Sequence, residues 1–227
     1  MIRIDNKIDS KRTPGLSGQM IKLIAIASML TDHIGCVLYP DRMAFRYIGR
    51  IAFPIFVFLV VEGFYHTGDV RKYGMRLLAF ACISEIPFDL AFNDAVLEFS
   101  SQNIFFTLFL GLAMIALMEK FPKQKFLIFV ISASAAFLLR TDYGVGGILF
   151  LFIFYIFRRR PLAKYSAFAA VSLLLFKPFQ CFALFAAVPL SLYNGEKGKG
   201  GKIIQYLFYI FYPTHLLILW AVSFAVV

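Results

Sequence analysis

Long apolar stretches recur along most of the chain and leave little room for a soluble fold. A helix needs about 20 mostly apolar residues to cross a bilayer core of about 30 Å, and somewhat fewer where the bilayer thins. The chain is 60% hydrophobic and only 16% charged, outside the range of ordinary soluble domains. Nine stretches qualify: 19–39, 46–65, 74–92, 102–118, 125–140, 144–157, 163–177, 178–194 and 203–225. The sequence predicts an all-α polytopic membrane bundle with about nine transmembrane helices, eight and ten being the alternatives.

The positive charges support this count and predict an orientation. Cytoplasmic loops of membrane proteins carry an excess of Lys and Arg. Of the 23 Lys and Arg residues, 18 fall in alternate connecting segments, namely 1–22, 66–76, 119–125, 158–164 and 196–202. This distribution predicts a cytoplasmic N-terminus, a polar leader over 1–18 and a single transmembrane domain over 19–227 in the plasma membrane. It also accounts for the net charge of +10 without a nucleic-acid partner.

Several ionisable residues lie inside the predicted spans, where a charged side chain costs about 2.5–3.5 kcal/mol on insertion scales. A helical rise of about 1.5 Å per residue puts most of them in one slab, from the middle of the membrane to its outer leaflet. They come from five different spans, so we expect them to share a polar cavity. The group comprises Asp32, His33, Arg50, Glu85, Asp89 and His215, with Asn103 and Thr107 as neutral members.

Each of these groups also has a purely structural interpretation. Arg46 and Arg50, one helical turn apart, are placed to pair with Asp32 or another carboxylate. Glu62 lies near the inner end of its span, where a solvated pair with His66 is as good an interpretation as a site. The three cysteines show no CxxC spacing, so we predict packing residues and no metal site.

A buried histidine beside carboxylates is suited to general acid–base catalysis. A carboxylate that accepts from one ring nitrogen fixes the tautomer and leaves the other nitrogen as the base. We therefore predict that His33 is a general base oriented by Asp32, at a depth that favours an acceptor from the outer side. The basic inner loops favour an anionic, phosphate-bearing donor from the cytosol. Proton-coupled transport of a small solute fits the same residues, and a non-catalytic membrane scaffold is a third alternative.

Three long motifs resemble the TraX family. They are residues 19–25 (QMIKLIA) with 29–35 (MLTDHIG), residues 46–58 (RYIGRIAFPIFVF) continuing to 67, and residues 84–89 (SEIPFD). Shorter matches lie at 103–107, 142–144 and 211–216. The family is named for acetylation of the N-terminal residue of conjugative pilin. It is similar to the wider transmembrane acyltransferase group, which includes the acyltransferase-3 and heparan-glucosaminide acetyltransferase proteins.

The resemblance implies transfer of an acetyl group from cytosolic acetyl-CoA to an amine or hydroxyl acceptor, a peptide N-terminus or a sugar, at the outer side of the membrane. His33 best matches the essential histidine of such enzymes, and Arg50 is expected to bind an acyl or phosphate oxygen or to hold Asp32. Four further residues are expected to bind or orient the acceptor: Glu85, Asp89, Asn103 and His215. Direct attack by the acceptor is the expected route, with a transient acetyl-histidine as the alternative. The expected partners are acetyl-CoA, the acceptor and the lipid bilayer, and a homo-oligomer is an open alternative.

Overall fold

Helices make up nearly all the regular structure of the computed structural model, which describes residues 14–176, 178–198 and 202–226, without the side chains of 202–205 and 226. Within that part of the chain the β-structure is limited to two isolated bridges. The α-helices are α1 (Gly18–Leu38), α2 (Met43–Gly49), α3 (Ala52–His66), α4 (Val70–Asn93), α5 (Ile104–Lys120), α6 (Lys125–Leu138), α7 (Gly144–Ile156), α8 (Pro161–Leu175), α9 (Ala187–Ser191) and α10 (Lys202–Val226). Two 3₁₀ helices cover Pro122–Gln124 and Pro178–Ala186. The all-α prediction is confirmed, and residues 1–13 of the predicted leader lie outside the described residues.

Each predicted span corresponds to a helical segment, but the helices differ in how well they match a bilayer. Among the described residues, three have the length and composition of a membrane span: Gly18–Leu38, Met43–His66 and Tyr206–Ala225. Three more are apolar but shorter: Gly144–Ile156, Pro161–Leu175 and Pro178–Ser191. The chain is therefore an all-helical protein with helices long and apolar enough to cross a membrane. The count of nine crossings and the cytoplasmic N-terminus stay predictions.

Short polar side chains begin three of the helices. Ser17 accepts from the Met20 amide at 3.4 Å, Asp69 from the Lys72 amide at 3.0 Å, and Asn103 from the Phe105 amide at 3.1 Å. Such N-caps satisfy backbone N–H groups that have no partner inside the helix. The Asp69 cap explains why α4 begins four residues before the apolar stretch predicted over 74–92.

The predicted span 46–65 is broken into α2 and α3 at Arg50. Pro54 lies in the first turn of α3 and has no N–H to donate to the carbonyl four residues before it, which is that of Arg50. The chain therefore turns at Arg50 and Ile51 without continuing the helix. Pro87 and Pro213, by contrast, lie inside α4 and α10. The break matters because Arg50 is one of the predicted site residues.

The predicted span 178–194 is mostly a 3₁₀ helix. Nine residues of 3₁₀ helix precede the five-residue α9. Because a 3₁₀ helix rises about 2.0 Å per residue and an α-helix about 1.5 Å, the 14 residues cover about 25 Å. This stretched winding lets a short segment run nearly the depth of a bilayer core.

The connecting segments gather at two ends of the bundle. Leu16 and Gly18 donate to the carbonyls of Leu192 and Glu196 at 2.7 and 2.8 Å, which joins the start of α1 to the loop after α9. At the opposite end, Gln102 donates to the Arg140 carbonyl at 2.9 Å. We call the first the basic end, because described residues from each segment that the sequence predicts on the inner side lie there, namely Lys22, Arg76, Lys125, Arg158 and Lys197.

Helices α5 and α7 approach closely through Gly111. A Cβ at Gly111 would overlap the Leu151 side chain, which is fully buried. The fully buried Leu112, Ile115 and Ile148 continue this contact into the main apolar core. The missing side chain at Gly111 is thus a packing requirement.

We expect Gly111→Ala to lower the thermal unfolding temperature in detergent, because a well-packed core does not absorb an added methyl without strain. Gly74→Ala is the matched control, since a Cβ there meets only ordinary van der Waals contacts at 3.7 Å or more. The two variants should differ by about 1–3 kcal/mol in unfolding free energy. Equal stability of the two would contradict this account of the α5–α7 contact.

Candidate functional site

A buried ion pair joins α1 to the break between α2 and α3. Arg50 donates to Asp32 through Nη2, and Arg46 Nη1 lies 3.3 Å from the other carboxylate oxygen. The Asp32 side chain packs directly against the Gly49 backbone, where a Cβ would overlap it. Asp32, Arg50 and Gly49 are all buried. The structural pairing considered from the sequence is therefore present in the fold.

The remaining donors of Arg50 reach two other elements. Nη1 lies 3.4 Å from the Tyr143 hydroxyl, just before α7, and 3.4 Å from Gln180 Oε1 in the long 3₁₀ helix. Nε donates to the Arg46 carbonyl at 3.2 Å. One guanidinium thus connects four segments far apart in sequence. Sequence reasoning missed Gln180 and Tyr143; the Asp-Tyr-Gly turn at 142–144 was the only local signal for Tyr143.

The sequence predicts that His33 pairs with Asp32, but in the structure His33 pairs with His215. His33 Nδ1 lies 2.7 Å from His215 Nε2, and the two rings are parallel to within 4°. Consecutive residues of a helix point about 100° apart, so Asp32 faces α2 while His33 faces α10. The prediction that Asp32 orients His33 was therefore wrong in its geometry, although both residues belong to one polar centre.

The hydrogen bonds assign the protons of the histidine pair. His215 Nδ1 lies 2.8 Å from the Phe211 carbonyl, which only accepts, so this nitrogen carries the proton. In neutral His215 the Nε2 atom is then the acceptor, and His33 must donate from Nδ1. His33 Nε2 is left with its lone pair, and the described residues give it no hydrogen-bond partner. This is the protonation state that a general base requires.

Glu85 and Asn103 form a second buried polar pair. Asn103 donates through Nδ2 to Glu85 Oε2 and to the Ala81 carbonyl, the latter at 2.8 Å. Glu85 Oε1 is buried and has no hydrogen-bond partner in the described part of the chain. Because a buried carboxylate oxygen is rarely left unpaired, this atom is free to accept from a ligand.

Asp89 and Thr107 stabilise loops at the end opposite the basic end. Asp89 accepts from the Asn93 side chain at 3.1 Å and from the Glu98 amide at 2.8 Å, which closes the chain after α4. Thr107 donates to the Asp142 carbonyl. Both oxygens of Asp89 are therefore engaged within its own loop, whereas Glu85 keeps one oxygen free.

A cavity of about 520 Å³ runs from the basic end toward the histidine pair. Its walls come from α1, α3, α4, α5 and α10. Along α1 it extends from Gly18 to Met29, about 16 Å at the rise of an α-helix. At its deep end stands Tyr212, a buried residue whose ring lies 6.0 Å from that of His33 and 5.6 Å from that of His215. The histidine pair thus lies directly behind the deep wall of the cavity.

The mouth of the cavity is basic. Lys22, Arg76 and Lys197 line it, with Lys22 Nζ 4.9 Å from the centre of the Phe208 ring. Arg76 Nε is buried and lacks a hydrogen-bond partner among the described residues. All three lie in the basic inner segments that the sequence predicts to favour a phosphate-bearing donor. Their common position around one opening was not visible in the sequence.

Comparisons with known proteins agree with the motifs described above. The TraX protein family model matches residues 17–223. A probable fimbrial assembly protein FimC, serogroup H1, from Dichelobacter nodosus is 32% identical, over 92% of this chain and 96% of that protein. An uncharacterized protein from Rickettsia prowazekii (strain Madrid E) is 35% identical over 40% of this chain and 34% of that protein. No solved structure matches the chain significantly.

We expect Asp32→Asn and Arg50→Gln each to lower stability strongly, by about 3–5 kcal/mol, because each leaves a buried charge without its main partner. The double variant Asp32→Asn/Arg50→Gln should lose less than the sum of the two, since no buried charge is stranded. Thermal unfolding of the three variants in one detergent measures this. Strictly additive losses would show that the two side chains do not depend on each other.

Proposed function

Because this chain belongs to the TraX family, we propose that it is a membrane acetyltransferase. In this proposal acetyl-CoA enters from the basic end, and the acetyl group passes to an amine or hydroxyl acceptor beside His33. The observation that carries the proposal is the cavity that begins between basic residues and ends at Tyr212, against the His33–His215 pair.

The shape and charge of the cavity suit an acyl-CoA. CoA is a long, flexible thioester carrier with several phosphates at one end, so it needs a narrow channel and a cationic mouth. The cavity supplies about 16 Å of depth along α1 and a mouth that contains Lys22, Arg76 and Lys197. The unpaired, buried Nε of Arg76 is a donor suited to a phosphate oxygen. The apolar residues Met29, Phe105 and Leu108 line the deeper part, where the pantetheine arm would lie.

His33 supplies the proton transfer in the proposed reaction. Its Nε2 accepts a proton from the acceptor as the acceptor nitrogen or oxygen attacks the thioester carbonyl. When the tetrahedral intermediate collapses, the carbon–sulfur bond breaks and His33 returns the proton to the leaving thiolate. His215 stabilises the intervening imidazolium, because its Nε2 accepts from His33 Nδ1 throughout. A transient acetyl group on His33 Nε2 is the alternative route.

The acceptor would approach from the end opposite the basic end. Glu85 Oε1 is buried and unpaired on that side of the polar centre, and it is suited to accept from an amine or hydroxyl. The relative FimC is named as a probable fimbrial assembly protein. This name supports a pilus subunit as the acceptor of the present chain, with a sugar hydroxyl as the alternative.

The proposal is tested by turnover of the purified protein with acetyl-CoA and an acceptor peptide or amino sugar. We expect release of free CoA thiol together with an acetylated product found by mass spectrometry. His33→Ala should reduce turnover by at least about 100-fold, the usual contribution of general base catalysis. Unchanged turnover in His33→Ala would show that His33 is not the base. Solute flux into liposomes without CoA release would show that the protein is a transporter and not an acetyltransferase.

Substitutions at the mouth should weaken donor binding without abolishing chemistry. We expect Arg76→Ala to raise the Kd for acetyl-CoA at least about tenfold, because a hydrogen bond to a charged group is worth about 1.5–3 kcal/mol. Thermal stabilisation of the protein during an acetyl-CoA titration measures the Kd. Arg71→Ala is the matched control, since Arg71 is an exposed residue of the same helix and does not line the cavity. Equal effects of the two substitutions would argue against a phosphate contact at Arg76.

A further inference from the structure

A second cavity at the basic end is separate from the donor cavity. It measures about 370 Å³ and shares no lining residue with the first. Its walls come from four elements: Tyr65 at the end of α3, Glu119 at the end of α5, Lys125 at the start of α6, and residues 158–160 in the turn after α7. We propose that this second cavity binds the phosphate headgroup of an anionic phospholipid. The inference does not depend on acetyl transfer.

The lining of this cavity carries more positive than negative side chains, which favours the binding of an anion. Arg158 is already paired within the protein, because it donates to both oxygens of Glu62 at 2.7 and 2.9 Å. Lys125, Arg159 and Arg160 have no ion pair with a carboxylate in the described part of the chain. Three cations therefore surround an opening with no anion assigned to them.

The acidic residue of the cavity does not neutralise these cations. Glu119 accepts through one oxygen, Oε1, from the Tyr65 hydroxyl at 3.0 Å and from the Tyr155 hydroxyl at 3.1 Å. Lys125 Nζ lies 5.2 Å from the centre of the Tyr155 ring and makes a cation–π contact with it. Glu119 and Lys125 thus each contact the tyrosines and form no ion pair with each other. The net charge of the lining stays positive.

The surroundings favour a lipid over a soluble phosphate. Phe126, next to Lys125, is 79% exposed, and Leu162, two residues after Arg160, is 82% exposed. Along the same helices Leu127, Ile131 and Leu174 are also exposed, as expected for surfaces that face acyl chains. A basic pocket at the end of an apolar helix surface lies at the level of the headgroups, where such pockets bind anionic lipids. A phospholipid would place its phosphate among the cations and its chains against Phe126 and Leu162.

The position of this site links it to the donor cavity. Arg158, in the turn that carries Arg159 and Arg160, holds Glu62, and Glu62 lines the first cavity. His66 also lines that cavity and lies 3.4 Å from Glu62. A headgroup bound at the turn would therefore fix the ion pair that forms part of the wall of the donor cavity.

The experiment is native mass spectrometry of the purified protein with added phosphatidylglycerol or phosphatidylcholine. We expect preferential retention of phosphatidylglycerol, and a roughly tenfold to thirtyfold weaker apparent affinity in Arg159→Ala/Arg160→Ala. Arg71→Ala/Lys72→Ala is the matched control, because it removes two exposed positive charges at the basic end away from the second cavity. Lys125→Gln gives an independent variant that should also weaken retention.

Three outcomes would overturn the proposal. Equal loss of phosphatidylglycerol in the two double variants would show a general charge effect and no site. Displacement of the lipid by inorganic phosphate at millimolar concentration would show a site for a soluble anion. Equal retention of both lipids by the unchanged protein would show that the headgroup charge is not recognised.

Discussion

The arrangement of the polar centre depends on the buried pair between Asp32 and Arg50. The pair holds α1 against the break between α2 and α3, and Arg50 extends it to Tyr143 and Gln180. In an apolar surrounding, neither charge is stable without the other, so the four segments are constrained together. His33, the next residue after Asp32, is thereby held on a face of α1 about 100° away from Asp32, where it meets His215. The structural ion pair and the proposed base thus lie on two faces of the same turn of α1.

The two buried pairs have separate roles, so a small number of ionisable residues is enough for the proposed site. Asp32 and Arg50 fix the backbone, and the His33–His215 pair, anchored on the Phe211 carbonyl, provides a nitrogen with a free lone pair. Tyr212 lies between this pair and the cavity that opens at the basic end, so the proposed transfer requires the Tyr212 side chain to move aside. The proposed reaction needs no additional charged group in the apolar core, because the base, the donor channel and the acceptor side meet at this level.

Much of the architecture could be predicted from the sequence, because apolar length and charge alternation directly determine which segments are helices and which loops share an end. The pairing of Arg50 with Asp32 was also accessible, since the two lie near the same predicted end. The contact of His33 with His215 was not, because it joins residues 182 positions apart and depends on the rotation of two helices about their axes. Depth estimates give height along a helix but not direction around it. Asp89 was grouped with Glu85 because the two share a face of one helix, and the sequence did not reveal that the loop after α4 returns to engage both Asp89 oxygens.

The central claim is that acetyl-CoA occupies the cavity between the basic end and Tyr212, with its thioester within reach of His33 Nε2. An experimental structure of the protein at saturating acetyl-CoA, or with a non-hydrolysable analogue, tests this most directly. The account predicts phosphate density beside Lys22 and Arg76 and the acetyl group next to Tyr212 and His33. Density for CoA elsewhere, or an empty cavity at saturating ligand, would contradict it.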